Sequence, residues 1–234
     1  TAASLLMEQI TLPSSCAFSI QSANDFLIGN LIPDATDNKD KTHFRNPVYK
    51  DKMMIYPDLY KFLNKYRNLL TDDSCLGYFF HLYIDRRFFK DYIPEIVEFY
   101  DSEGKITDIK SQVSEVLVRE TGLRIPGDEY LTEKYYYGDY TKMNTYLARR
   151  FHLNFNLNPV IKNPGIEEAD YPAAKDVLAS LKEYMNVPDT AVKNLTVFNV
   201  EDLIHFLRKA VNEFIIFLQS ALTIEKTVNS RLLS

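Results

Sequence analysis

Asp73-Ser74-Cys75-Leu76-Gly77-Tyr78-Phe79-Phe80-His81-Leu82-Tyr83-Ile84-Asp85 is the stretch from which the rest of the chain is read. It contains no proline, and Asp73 or Ser74 can cap it. A helix is therefore predicted to run to about Tyr92, where Pro94 interrupts or restarts it. His81 and Asp85 are spaced i, i+4, which places them one turn apart on one helical face. At ~100° per residue, Asp85 falls about 40° from His81, Tyr92 about 20° and Tyr78 about 60°. Leu82, Ile84, Phe88 and Phe89 flank them, while Arg86, Arg87 and Lys90 take the opposite side. A histidine and a carboxylate thus lie in the middle of the face expected to enter the core. An unpaired carboxylate there is costly, so it needs a partner. Gly77, one turn before His81, leaves room for another group. A metal ion satisfies both side chains at once; a His–Asp hydrogen bond or a buried arginine pair is the plainer alternative. Tyr78 and Tyr92, on the same face, are candidate hydrogen-bond donors to a substrate.

The helical period recurs on both sides of this segment. Short helices are expected at Ser4–Ile10 and Asn24–Leu31, then a polar loop at Asp34–Asp51 and a helix within Met53–Leu70. Beyond it, Lys105–Glu120 carries Ile106, Ile109, Val113, Val116 and Leu117 in an amphipathic pattern. Gly122–Gly127 reads as a turn, and further helices follow at Tyr140–Phe151, Tyr171–Met185 and Val200–Leu222. Glycine is scarce, at 7 of 234 residues, and strand-like alternation is rare. The expectation is an all-α fold, a single multi-helix domain over residues 1–234.

Composition narrows the function. With 46% apolar and 25% charged residues, the chain can bury a sizeable core. Its 27 Lys+Arg against 32 Asp+Glu give a net charge of −5, the wrong sign for a nucleic-acid binder that relies on phosphate neutralisation. No G-x-G-x-x-G or Walker-type loop is present, so those nucleotide cradles are excluded. Cys16 and Cys75 form no C-x-x-C pair and read as reduced thiols of a cytoplasmic protein, with a single bridge the alternative. The first residue is Thr1, which leaves a removed N-terminal signal open. No run approaches the ~20 apolar residues of a membrane span.

The second half of a metal site would have to come from elsewhere. Gly29-Asn30-Leu31-Ile32-Pro33-Asp34 ends an apolar segment on a carboxylate, and Thr42-His43-Phe44 follows nine residues after Asp34. Taken singly, Asp34 reads as a cap or turn residue and His43 as a loop histidine. Together with Leu76–Asp85, these segments resemble the zinc-dependent phospholipase C family and its bacterial hydrolase relatives. The resemblance spans roughly residues 24–92. It implies that Asp34, His43, His81 and Asp85 are the metal ligands and that the fold is of that family's helical type. Family members with three zincs also use an N-terminal amine, an early histidine and His/Glu ligands after the H-x-x-x-D helix. Here no histidine precedes His43 and none follows His81 until His152, so one metal is expected. His152 reads as structural or surface, and His205 as a residue near a helix N-terminus whose carboxylates suit that position.

The resulting expectation is a metal-dependent hydrolase acting on a small-molecule or lipid-like phosphoester. The ligand types suit zinc and also permit iron or manganese. Asp34 or Asp85 would combine metal binding with orienting a water. The rival is a non-catalytic helical protein braced by a metal or a His–Asp network. An open, accessible coordination position separates the two. A His-Asp dipeptide of the HD phosphohydrolase kind is missing. Tyr130–Tyr140 reads as aromatic packing, and Arg86 and Arg87 as a solvated or partner-binding surface.

Overall fold

The computed structural model describes residues 1–10, 18–183 and 185–232, so Cys16 lies outside the described residues. In chain order the helices are α1 (Ala2–Ile10), α2 (Ala23–Leu31), α3 (Lys39–Thr42), α4 (Leu59–Tyr66), α5 (Asp73–Arg87), α6 (Ile93–Ile96), α7 (Gly127–Tyr130), α8 (Tyr136–Arg150), α9 (Ala174–Glu183) and α10 (Val200–Leu232). Three strands, β1 (Val97–Tyr100), β2 (Glu115–Val118) and β3 (Arg124–Pro126), fall between α6 and α7. Helix accounts for 57% of the chain and strand for 8%. The fold is mainly helical, not all-α as the sequence suggests.

The correction centres on Lys105–Glu120, which is not a helix. It forms a loop, a short 3₁₀ turn at Lys110–Gln112 and β2. β2 is the middle of an antiparallel sheet ordered β1-β2-β3, with Phe99 opposite Val116 and Val116 opposite Ile125. Ile106, Ile109, Val113, Val116 and Val118 are β-branched, which favours strand over helix. Burial alternates along β2, with Val116 and Val118 buried and Glu115 and Leu117 less so, a period of 2 in place of 3.6, while Ile106 in the preceding loop is 69% exposed. Gly122, at φ +71°, supplies the left-handed residue for the turn into β3.

α5 occupies the centre. Its N-cap is Asp72, one residue earlier than expected, whose carboxylate accepts from the backbone N–H groups of Ser74 and Cys75. Asp73 instead accepts from Gln21 and Ser22, tying the start of α5 to the start of α2. Every residue from Ser74 to Phe80 is buried, so this helix is enclosed on all sides and has no single inward face. Phe62 of α4 stacks on Phe79 at 5.3 Å, and Phe214 of α10 meets Phe80 at 4.8 Å and Tyr83 at 5.1 Å. Pro94 does not break the helix. A π turn at Phe88–Tyr92 carries the chain from α5 into α6. Proline lacks an N–H for the carbonyl four residues back and its ring crowds that carbonyl, and the widened turn accommodates both.

α2 and α5 meet backbone to backbone. A Cβ on Gly29 would stand 2.1 Å from the carbonyl oxygen of Ser74, and one on Gly77 would stand 2.0 Å from that of Phe26. The space beside Gly77 is therefore filled by α2 and not by a ligand. Gly77→Ala should be destabilising, although alanine is the better helix former by about 1 kcal/mol. The clash is with main chain, which cannot swing aside, and overpacking of this kind costs about 1–3 kcal/mol. Denaturant melts check it; a variant as stable as the wild type would mean the two helices are not in contact.

A second junction is polar. Asp139 of α8 is fully buried, and its Oδ2 accepts from the backbone N–H groups of Thr196 and Val197 at 2.7 Å each and of Phe198 at 3.3 Å. Lys142 Nζ donates to its Oδ1 at 3.0 Å. Asp139 thus pins the bend that leads into α10 against α8. Cys75 is buried, and that burial pushes its thiol up to about 12. Among the described residues, no helix is long and apolar enough to cross a membrane.

Candidate metal centre

Each of the four predicted ligands is delivered by a different local device. Asp34 ends the 3₁₀ turn Ile32–Asp34 that Pro33 starts directly after α2. His43 is the C-cap of α3, and His81 and Asp85 lie on successive turns of α5. α3 closes with paired bonds, Phe44 N–H to the Lys41 carbonyl at 3.1 Å and Arg45 N–H to that of Asp40 at 3.0 Å. This is the Schellman arrangement, with Phe44 at φ +53° in the left-handed position usually given to glycine. The strain is offset by burying the Phe44 ring against Phe62 at 5.3 Å, in contact with Tyr66 and Tyr78.

The four side chains converge. His43 Nε2 and His81 Nε2 are 3.2 Å apart, and Asp85 Oδ2 stands 3.3 Å from the first and 3.5 Å from the second. Asp34 completes the group at 3.8 Å from His43 Nε2 and 3.9 Å from His81 Nε2. Asp34, His43 and His81 offer ligand atoms that all lie within 4.8 Å of one another, a candidate metal site. For metal–ligand bonds of about 2.0–2.2 Å, the edges of a tetrahedron are about 3.3–3.6 Å long. The edges of the His43–His81–Asp85 triangle have about that length, whereas Asp34 reaches the two imidazoles through different oxygens at longer range, and Asp85 is not part of the compact Asp34–His43–His81 group.

Hydrogen bonds behind the imidazoles fix which nitrogen faces inward. His81 Nδ1 donates to the Asn30 carbonyl at 2.9 Å, since a carbonyl can only accept. Thr42 Oγ1 donates to the Pro33 carbonyl at 2.8 Å and so accepts from His43 Nδ1 at 3.1 Å. Tyr78, fully buried, donates to the Thr42 carbonyl at 2.6 Å and locks that corner. The two Nε2 atoms then face one another, so that an N–H at His81 Nε2 donates to His43 Nε2, and a cation between them could take the place of that proton. Burial opposes charge on His81, but the carboxylates of Asp85 and Asp34 outweigh it and push its pKa up to about 9. Burial would raise Asp85 and Asp34, yet His81 overrides it at both, helped by His43 at Asp85 and by Lys39 at Asp34, and holds them below the usual carboxylate range. Asp34, His43 and His81 are therefore a candidate metal site, with Asp85 beside them, and imidazole and carboxylate donors are of the kind that bind divalent transition metals.

The cluster is open on one side. Side-chain exposure rises from 2% at His43 through 13% at His81 and 27% at Asp85 to 41% at Asp34. Asp34, His43 and Asp85 line a cleft of about 590 Å³, together with Lys39, Arg45, Phe89 and tyrosines 136, 137 and 140. Lys39 Nζ donates to Asp34 Oδ1 at 2.6 Å and braces the rim ligand.

Other expected contributors fall elsewhere. Tyr78 is spent on Thr42, and the buried Tyr92 stacks on Phe206 at 4.7 Å, so neither hydroxyl is placed to meet a substrate at the cluster. Arg86 donates to the Pro57 carbonyl and lies over the Tyr56 ring, while Arg87 pairs with Asp91 and Glu213; both are tied down within the chain. His152 and His205 are exposed, and neither belongs to the candidate group or lines the cleft beside it. Tyr136, Tyr137 and Tyr140 are not mere packing but form part of the cleft wall. Lys39, Arg45 and the orienting Asn30 and Thr42 have no sequence signature that would single them out. No family model, curated protein or solved structure matches this chain, so the phospholipase C resemblance rests on its motifs alone.

Proposed function

We propose that Asp34, His43, His81 and Asp85 hold one divalent metal ion, zinc by the character of the donors, and that the protein is a metal-dependent hydrolase of phosphoesters. The observation that supports this reading is the cleft: Asp34, His43 and Asp85 line it, whereas a bracing metal is closed off by its ligands. A divalent ion held there, with the exposed Asp34 bound only weakly so that one position stays open, would supply Lewis acidity and a water that ionises near neutral pH. Asn30 and Thr42 orient the two imidazoles, and His43, the most buried ligand, anchors the site. Asp85 Oδ2 closes the triangle, and the exposed Asp34, steadied by Lys39, is placed to orient the attacking water. A small or lipid-like phosphoester fits the mixed polar and aromatic lining.

Protein purified without added metal should carry close to one zinc, iron or manganese per chain by elemental analysis. It should hydrolyse a generic aryl phosphodiester or monoester, faster as pH rises through neutrality, and lose that activity to a chelator. Asp85→Asn replaces a charged ligand with a neutral, poorer one, and should reduce turnover at least about 100-fold, the upper range for losing a mere second-shell partner. A metal that resists chelators, with no turnover and no effect of Asp85→Asn, would favour the bracing role instead.

A further inference from the structure

The Schellman turn after α3 sends three consecutive side chains in three directions: His43 into the metal cluster, Phe44 into the core and Arg45 onto the cleft wall. A bulky residue held at φ +53° is uncommon, and such positions cluster where geometry serves a site. The fold makes little use of the Arg45 side chain. Its backbone N–H caps α3 and its main chain bridges to Pro57, and both contacts are independent of the guanidinium. Nη1 donates to the exposed Asp40 at 3.1 Å, and the buried Nε has no hydrogen-bond partner in the protein. Lys39, the other cation on the wall, is engaged by Asp34. Arg45 is therefore the cation of this cleft whose donors the metal cluster does not consume.

We propose that Arg45 is the specificity-determining residue of the cleft, taking an anionic oxygen group of the substrate into the fork of its guanidinium beside the His43–His81–Asp85 cluster. The word substrate rests on the hydrolase reading; the anion site does not. A guanidinium presents parallel N–H donors that match two oxygens of one phosphorus or carbon, which the point charge of lysine cannot do. The ester that reacts is thus one that keeps a negative charge next to the scissile bond, and a neutral ester forgoes this contact.

The test uses inorganic phosphate as the probe, titrated calorimetrically into wild type, Arg45→Lys and Arg45→Met, each with its metal content measured and each in metal-loaded and metal-free form. Phosphate affinity should fall by about tenfold or more in Arg45→Met at unchanged metal per chain, as expected for losing hydrogen bonds to a charged group. Arg45→Lys should recover only part of it. In turnover, Arg45→Met should raise KM for an aryl phosphodiester and leave a neutral aryl acetate nearly unaffected. Phosphate binding that is equal in wild type and Arg45→Met, or undetectable in wild type, overturns the proposal. Should Arg45→Met fail to fold, phosphate should still slow modification of Arg45 by phenylglyoxal in the wild type, and no protection counts against the site. If no ester is hydrolysed while the difference in phosphate affinity persists, the hydrolase reading falls and the anion site stands.

Discussion

His81→Ala is expected to abolish metal binding and to cost on the order of 3–5 kcal/mol, the range for removing one partner from a buried charged cluster. The substitution takes away one of two imidazoles facing each other at 3.2 Å and leaves Asp85 with His43 alone. His152→Ala and His205→Ala remove exposed rings and should stay within the small range of surface substitutions. The metal-free wild type adds a pH signature. Its His81 pKa is raised to about 9, so the attraction to Asp85 and Asp34 contributes fully below the unfolded value near 6.5 and is lost as pH rises through 9. Metal-free protein should therefore lose stability between about pH 6.5 and 9, whereas His81→Ala should be flat across that window. Denaturant unfolding over that range measures both. Equal losses from all three histidine substitutions, or a pH-independent wild type, would place the wrong histidine at the centre.

Half of this cluster is legible from local spacing, and half is not. His81 and Asp85 are one helical turn apart, so their meeting follows from the period of the helix. Asp34 and His43 are read singly as a turn residue and a loop residue, and locally that is what they are: one ends a 3₁₀ turn and the other caps α3. What brings them to His81 is the backbone contact at Gly29 and Gly77, a tertiary fact with no local signature, since Gly77 reads in the sequence as room for another group. The same limit explains the errors. Lys105–Glu120 offers apolar residues at spacings that suit a helix, but β-branching and the partners available in β1 and β3 make Glu115–Val118 a strand and leave the rest as loop and 3₁₀ turn. The enclosed α5 looks amphipathic only because Asp85, Arg86 and Arg87 gather at its C-terminal end. Tyr136, Tyr137 and Tyr140 resemble packing because the cleft they line exists only once α8 faces the cluster.

Asp139 has no signature in the sequence at all, since its acceptor oxygen serves amides 57 to 59 positions later, yet Asp139→Ala should be among the most damaging single changes. It would strand the buried N–H groups of Val197 and Phe198 and that of Thr196 at once, and free Lys142 from its partner. An unsatisfied buried donor costs about 1–3 kcal/mol, so a total of about 3–5 kcal/mol is expected. Asp139→Asn keeps an acceptor oxygen but loses the charge, and should cost about half as much. The damage should also reach the cleft, because Phe198 packs on Tyr136 at 5.3 Å and on Tyr140 at 5.5 Å. Amide exchange at residues 196–198 should accelerate in step with the loss of stability. The comparison with His81→Ala then separates scaffold from site. Removing the metal should make the cost of His81→Ala depend on pH, large below about 6.5 and small above about 9, but Asp139→Ala should cost the same with or without it, because no atom of Asp139 belongs to the cluster. A cost for Asp139→Ala below 1 kcal/mol, or one that vanishes on chelation, would show that α8 is held to the entry of α10 by something other than this carboxylate.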